Sequence, residues 1–453
     1  TNYRNDLLLG SLSGAGSISA DNNSSQYRYG AIFGRFNFAW MDKYILNLSG
    51  RRDGSSRFGQ GKQFANFGAA GFAWIISNER VFKKSLPFMS FGKVRLSYGS
   101  TGNDQIGNYM YLDTWSPTSQ TYQNVPGLLP TRLYNSDYAW EINRKFEAAL
   151  ELGFIKDRIL ISTSWFRNRS GNQLIQYTLP IQTGFNSILQ NFPGIVQNTG
   201  VEVSVSTKNI ASKVLEWTTS MNFSIPRNKL ISFPGLAISS YSSRYVVGEP
   251  LNLINAYHFL GVDPVTGVYK FQDLDSNGLL NSKDRIISGY SGAKFYGGLI
   301  NTFKFRNFEL SFLLEYKKQI GRNYYGTLGA NLPGRPVNQP VLVLDRWQKP
   351  GEVTNVQRYV ATAGNPAFAA NTNLGASDAV YSDASYTRMK NISFSYQLKR
   401  SWLKRIHAEN CRFSLEGQNL FTITKYTGAD PENQNLYRLP PLRTIVGRIQ
   451  IIF

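Results

Sequence analysis

Arg443-Thr444-Ile445-Val446-Gly447-Arg448-Ile449-Gln450-Ile451-Ile452-Phe453 alternates between two chemistries. Ile445, Gly447, Ile449, Ile451 and Phe453 fall on one face of an extended chain. Thr444, Val446, Arg448 and Gln450 fall on the other, because strand side chains repeat every two residues. An apolar outside, a polar inside and an aromatic residue in last place are what a transmembrane β-barrel strand requires.

The same rhythm recurs along the chain. Strands are expected at 28–40, 43–51, 64–77, 92–101, 145–154, 159–168, 200–207, 216–225, 294–305, 308–318, 387–398, 412–423 and 443–453. Bacterial single-chain barrels have even strand numbers, so about fourteen are expected. If the last strand descends from outside, the connections sort by side. Those at 399–411, 306–307, 208–215, 155–158, 78–91 and 41–42 become periplasmic. Those at 424–442, 319–386, 226–293, 169–199, 102–144 and 52–63 become extracellular. The first set is short and the second long, with one near tie, as in outer-membrane barrels. The hairpin 294–318 is the clearest case. Phe295, Leu299, Phe303, Phe305, Phe308, Leu310, Phe312, Leu314 and Tyr316 share one face, and Lys304, Glu309, Ser311 and Glu315 the other. Trp40 and Tyr44 flank the 41–42 turn, where an interfacial aromatic girdle belongs. One such stripe alone would read as the core of a soluble sheet; a dozen would not.

Composition agrees. The chain is 42% hydrophobic, yet its mean hydropathy is -0.29 and no run of about 18 apolar residues occurs, so no transmembrane helix is indicated. Cys411 is the lone cysteine, which excludes a disulfide framework within the chain and a thiolate metal cluster. The net charge of +20 reads either as Lys and Arg scattered through lumen and loops or as attraction to anionic lipid headgroups or acidic cargo. No block of five like charges occurs, so a nucleic-acid-binding arm is not expected. His258 and His407 sit in no triad or zinc pattern, and no nucleophile elbow or phosphate loop is present. The chain is not expected to be an enzyme. Arg51, Arg95, Glu147, Glu151, Glu202 and Glu416 occupy polar-face strand positions, as partners in a satisfied network or as contacts for cargo.

One loop has metal-ligand spacing. In Asp273-Leu274-Asp275-Ser276-Asn277-Gly278-Leu279-Leu280-Asn281-Ser282-Lys283-Asp284, the oxygens fall as in a twelve-residue calcium loop. Asp273, Asp275 and Asn277 stand at positions one, three and five, and Gly278 at the sharp turn. Leu279 offers its carbonyl, Asn281 acts through water, and Asp284 closes the loop with a shorter arm than the usual Glu. The same residues could form a turn that binds nothing. A bound Ca²⁺ would brace the extracellular connection 226–293.

Several segments together resemble the SusC/RagA-type TonB-dependent transporters of Bacteroidota outer membranes. They are Arg35-Phe36-Asn37-Phe38, Asp42-Lys43-Tyr44-Ile45-Leu46, Arg52-Asp53-Gly54-Ser55-Ser56-Arg57-Phe58-Gly59 and Arg95-Leu96-Ser97-Tyr98-Gly99-Ser100-Thr101-Gly102-Asn103. Next come Asn198-Thr199-Gly200-Val201-Glu202, Gly261-Val262-Asp263-Pro264-Val265-Thr266-Gly267, Arg346-Trp347-Gln348-Lys349-Pro350-Gly351 and Asn419-Leu420-Phe421-Thr422. The Arg-Asp-Gly-Ser-Ser-Arg-Phe-Gly run is the most specific. Gln357 departs from the family, which more often has Pro before Arg358.

The resemblance implies that residues 1–453 are the later, C-terminal part of a plugged barrel of about 22 strands. It implies a multi-pass outer-membrane importer of oligosaccharides or peptides. A SusD-like surface lipoprotein would cover it, and TonB would drive it through an N-terminal plug and TonB-interacting segment not in this sequence. Its surroundings would be lipid bilayer and lipopolysaccharide. Arg346, Trp347, Pro350 and Gly351, in the long connection 319–386, are the candidates for lid contact, since Arg and aromatic residues suit interface anchors. A passive porin or a barrel scaffolding other envelope proteins is the alternative. A secreted β-rich adhesin or lectin is a third reading, and the sorted loop lengths oppose it.

Overall fold

The computed structural model describes residues 5–8, 10–18, 24–330, 334–403 and 407–453. A fourteen-stranded antiparallel sheet organises them: β1 (Tyr29–Trp40), β2 (Tyr44–Ser55), β3 (Phe64–Trp74), β4 (Met89–Asn103), β5 (Glu141–Phe154), β6 (Ile159–Gly171), β7 (Ile195–Ala211), β8 (Leu215–Ser232), β9 (Phe295–Phe305), β10 (Phe308–Lys318), β11 (Tyr386–Gln397), β12 (Asn410–Gln418), β13 (Thr422–Thr424) and β14 (Thr444–Ile452). Each strand pairs with its neighbours in sequence, save that short β13 continues β12 along β11 and β14 follows β12. All thirteen expected segments are strands of this sheet. The segment 412–423 divides because Asn419 turns the chain with φ of 51°. Strands β5 to β8 run several residues further into the long-loop side than the hydrophobic alternation suggests.

The ladder fixes the faces. Leu152, Ile161, Val205, Met221, Leu299 and Leu314 are cross-strand partners along one apolar rung. The adjacent rung is Glu151, Ser162, Ser204, Asn222, Gly298 and Glu315. Such strict opposition over six strands leaves one wall for hydrocarbon and one for water. A β-bulge between β10 and β11 inserts Lys390. It turns both Arg388 and Lys390 to the polar side while keeping Met389 and Ile392 on the apolar one. Among the described residues no ladder joins β1 to β14, and both strands are exposed along their length.

Connections on one side are short. Met41 and Asp42, with φ of 52° and 53°, make the left-handed turn that suits strand twist. Around it Tyr44 packs at a tilt against Trp40 at 5.8 Å and stacks on Trp74 at 6.3 Å, and Lys43, Tyr44 and Trp74 donate to the Glu79 carboxylate. The stretch 75–88, which carries a one-turn helix Arg80–Ser85, is the one short-side connection longer than its opposite, 56–63. Parts of two expected connections, 331–333 and 404–406, lie outside the described residues. Among the described residues no helix is long and apolar enough to cross a membrane.

The long connections fold. Those at 233–294 and 319–385 share a core of Tyr269, Leu328, Val343, Val356, Ala370, Leu374 and Val380, with the helix Pro366–Leu374 capped by Asn365. The loop after β2 inserts Phe58 against Tyr138 and Trp140, the latter at 4.6 Å. Arg57 lies over Tyr27 at 4.1 Å and donates to Asn108 and to the Asp104 carbonyl. That is the structural content of the Arg-Asp-Gly-Ser-Ser-Arg-Phe-Gly run.

Face assignment makes a sharp prediction. Leu299→Arg, on the apolar rung, should destabilise the sheet in a bilayer by about 2–4 kcal/mol. Ile300→Arg, one residue away on the polar face, should cost far less. Urea unfolding of the protein reconstituted in lipid measures both; equal losses would contradict the assignment.

Candidate functional site

The polar face is a lattice of paired charge. Arg95 on β4 meets Glu151 at 2.6 Å and Glu147 at 3.5 Å on β5, and Lys93 meets Glu151 at 3.6 Å. Arg51 grips both oxygens of Asp53 at 2.9 Å and donates to Tyr29. Arg412 bridges Ser395 and Glu309, and Arg448 meets Glu416 at 3.5 Å. Glu202 has no ion-pair partner among the described residues. Five of the six expected polar-face charges are therefore held in place, and one is free. A surface of paired charges offers many polar contacts and little net field.

The deepest ionic cluster lies where the bulge turns Arg388 inward. Arg388 is 2% exposed and donates to Asp430 and Glu432. Lys390 joins Glu432 and, at 3.2 Å, Glu315, whose other oxygen accepts the Tyr386 hydroxyl at 2.6 Å. Gln319 adds a bond to the Pro431 carbonyl at 2.6 Å. The last long loop is thus latched to the inner wall by a buried guanidinium. Sequence reading did not find this cluster. Its signal was Asp430-Pro431-Glu432, two acids in a loop beside Arg388 and Lys390, whose even positions match apolar Ile392 and Phe394 of β11, so that without the bulge both cations read as lipid-facing.

In the calcium-like loop, Asp273, Asp275 and Asp284 place ligand oxygens within 4.8 Å of one another. Gly278 takes φ of 78° and donates to Asp273 Oδ2 at 2.8 Å. Asp284 is fully buried, accepting from Leu274 and Asn281 backbone N–H groups. Those bonds, the Asn281 one foremost, hold its carboxyl below the ordinary value. Asp273 Oδ1 is buried without a hydrogen-bond partner, the kind of orphan oxygen a hard cation satisfies. The other three candidates are engaged locally. Asn277 donates to Asp275 and accepts from Leu279 N–H, while Asn281 caps Lys283 N–H and donates to the Leu279 carbonyl.

The lid candidates brace one loop against another. Trp347 covers Gly267, where an added Cβ would lie 2.3 Å from the ring. Its Nε1 donates to the Pro264 carbonyl at 3.0 Å, and Gly351 N–H donates to the same oxygen at 2.8 Å. Arg346 stacks over Tyr359 at 3.8 Å, and Pro350 is exposed. Buried Gln357 accepts from Tyr269 N–H and donates to the Ala367 carbonyl, uses that a Pro there would forfeit. The solvent-facing apolar residues beside this brace are Val341, Leu344 and Val353, the last 90% exposed. His258 meets Asp378 at 2.7 Å, and Asp378 also accepts Phe259 N–H, so the imidazole serves as a strut between the same two loops.

Residues 1–420 match the family described as TonB dependent receptor-like, beta-barrel. TonB-dependent receptor P3 of Formosa agariphila is 30% identical over 430 residues, 89% of this chain and 42% of that protein. TonB-dependent receptor SusC of Bacteroides thetaiotaomicron is 25% identical over 432 residues, 89% of this chain and 41% of that protein. The RagAB peptide transporter superposes with a TM-score of 0.81 at 25% identity, over 99% of this chain and 50% of that one. The chain thus spans half or less of the length of these relatives.

Arg388→Ala should cost about 3–5 kcal/mol, because it strands Asp430 in a buried site. Protease cleavage within 425–443 should rise in step. Lys304→Ala removes a 3.9 Å half-exposed pair with Glu216 and should change stability by less than about 1 kcal/mol.

Proposed function

The chain belongs to the TonB dependent receptor-like β-barrel family, and from that premise we propose that it forms wall and outer loops of an active outer-membrane importer. The cargo is an oligosaccharide or peptide too large for a passive pore. A SusD-like surface lipoprotein delivers it, and TonB, acting through a plug, supplies the work. The observation that carries this reading is the pairing of charges across the polar face. Arg95 with Glu147 and Glu151, and Arg388 with Asp430 and Glu432, leave a polar lining without a dominant field. Such a wall passes neutral or mixed-charge polymers.

The lid would settle on the loop platform built by 253–293 and 319–385. Arg346, Trp347, Pro350 and Gly351 shape that platform, and Val341, Leu344 and Val353 supply apolar surface that a partner would desolvate. The porin reading leaves the apolar rim of the platform without a use, and co-purification of envelope machinery in place of a lipoprotein would favour the scaffold reading.

Intact mass and co-purifying partners, measured on the protein drawn from detergent-solubilised outer membrane by a tag on an extracellular loop, test the proposal. A chain about twice this mass, as the half-length coverage of relatives implies, with a lipoprotein partner supports it. A chain near 51.0 kDa with no partner overturns it.

We also propose that Ca²⁺ braces the loop at 273–284. Asp273, Asp275 and Asp284 would hold the ion, and the orphan Asp273 oxygen favours it. The full-length protein in detergent should bind one terbium ion per loop, displaced by calcium. Asp273→Asn with Asp275→Asn should abolish the luminescence, and chelation should open the loop to protease. Equal luminescence in the double variant would refute the site.

A further inference from the structure

We propose that the outer wall of β5 to β8 carries a docking patch for phosphate-bearing lipid headgroups of the outer leaflet. The proposal rests on the reading of this sheet as an outer-membrane wall. Two rungs define the patch. Arg144, Arg169, Gln197 and Lys229 are successive cross-strand partners, and so are Phe146, Arg167, Thr199 and Arg227. The rung beneath is Ala148, Trp165, Val201 and Ile225. It belongs to the apolar face, and Phe146 packs edge-on against Trp165 at 5.7 Å as an interfacial aromatic pair does. The opposite face of the same strands is covered, since Val196 and Leu230 sit in a core with Phe192 and Phe233. The five cations therefore point away from the lumen, directly above the hydrocarbon band.

None of the five has a carboxylate partner among the described residues. Arg169 donates to Gln197 at 2.8 Å, and Arg227 donates only to the Pro226 and Lys294 carbonyls. Arg144 and Arg169 stand directly opposite each other, a like-charge pair that costs stability unless an anion lies between them. This contrasts with the polar face, where Arg95, Arg388 and Arg412 each meet an acid. Unpaired cations on a lipid-facing wall are costly at the midplane and nearly free near the interface, so this is a headgroup-level site. Four strands at about 4.8 Å spacing spread the charges over roughly 14 Å, and guanidinium groups bind phosphate through two parallel hydrogen bonds. The occupant with matching charge at that height is a phosphorylated lipid headgroup.

The test uses the full-length protein in micelles, with lipid A as probe and its dephosphorylated form as comparison, read by native mass spectrometry. Wild type should retain lipid A and not the dephosphorylated form. Arg144→Gln or Arg169→Gln alone should weaken retention about fivefold, and the five-fold replacement by Gln at least about a hundredfold. Lys145→Gln, a cation of β5 on the other face, should change nothing. A heat-modifiable gel shift identifies folded barrel in each variant. If the folded five-site variant retains lipid A as wild type does, or if Lys145→Gln weakens it equally, the patch is refuted. Recovery of the wild-type protein outside the outer-membrane fraction would refute instead the membrane reading beneath it.

Discussion

Inside a bilayer no water is available to a bare peptide group, so every backbone N–H and C=O within the hydrocarbon must find its partner in the protein. The antiparallel meander from β1 to β14 is this protein's answer, and the rest of its chemistry follows from it. Once strands are locked in register, side chains have two destinations. Leu299 and Leu314 go to one, Gly298 and Glu315 to the other, and a slip of one residue would exchange them. The ladder converts a weak alternation, spread over thirteen segments, into a single decision about which face meets lipid.

On the long-loop side the constraint relaxes and the architecture changes. Water satisfies backbone groups there, so connections can carry hairpins, short helices and a core of their own. They remain tied to the wall at a few points. Arg388 with Asp430 and Glu432 is one, and His258 with Asp378 ties loop to loop. A buried guanidinium is expensive to desolvate, and its return is registry more than stability, since an apolar replacement of the whole cluster would not say where the loop belongs. The brace of Trp347 over Gly267 works similarly: only a residue without Cβ, with φ of 69°, fits beneath the ring.

The sheet was legible because its signal is periodic and repeated. Phe295 to Tyr316 could be assigned to a face residue by residue, and the ladder agrees. What escaped were departures from the period. The bulge at Lys390 reverses parity within β11, so the inward turn of Arg388 could not be counted from either end. The extensions of β5 to β8 beyond the membrane band carry Arg144, Arg169, Gln197 and Lys229 on the outer face while Val196 and Leu230 are buried on the inner one, so the apolar-out alternation that marks the band stops short of the strand ends. In the loop at 273–284, spacing named the three carboxylates that converge but not the local bonds of Asn277 and Asn281, which depend on turn geometry. Arg346 and Trp347 are candidate anchors for a partner by residue type. Their stacking within the chain is a long-range fact that no local pattern encodes.

Charge distribution joins these levels. A net charge of +20 says nothing by itself about where the excess lies. The polar face nearly neutralises itself, with Arg and Lys of one strand set against Glu of the next. Loop cations stack on aromatic rings, as Arg57 does on Tyr27 and Arg346 on Tyr359. Part of the surplus therefore appears where no protein acid stands opposite it, on the outer wall at Arg144, Arg167, Arg169, Arg227 and Lys229. A wall that touches anionic headgroups gains by leaving its cations unpaired there, because an acid beside them would compete with lipid phosphate and repel it. The same physics that demands pairing inside the barrel thus argues for its absence outside.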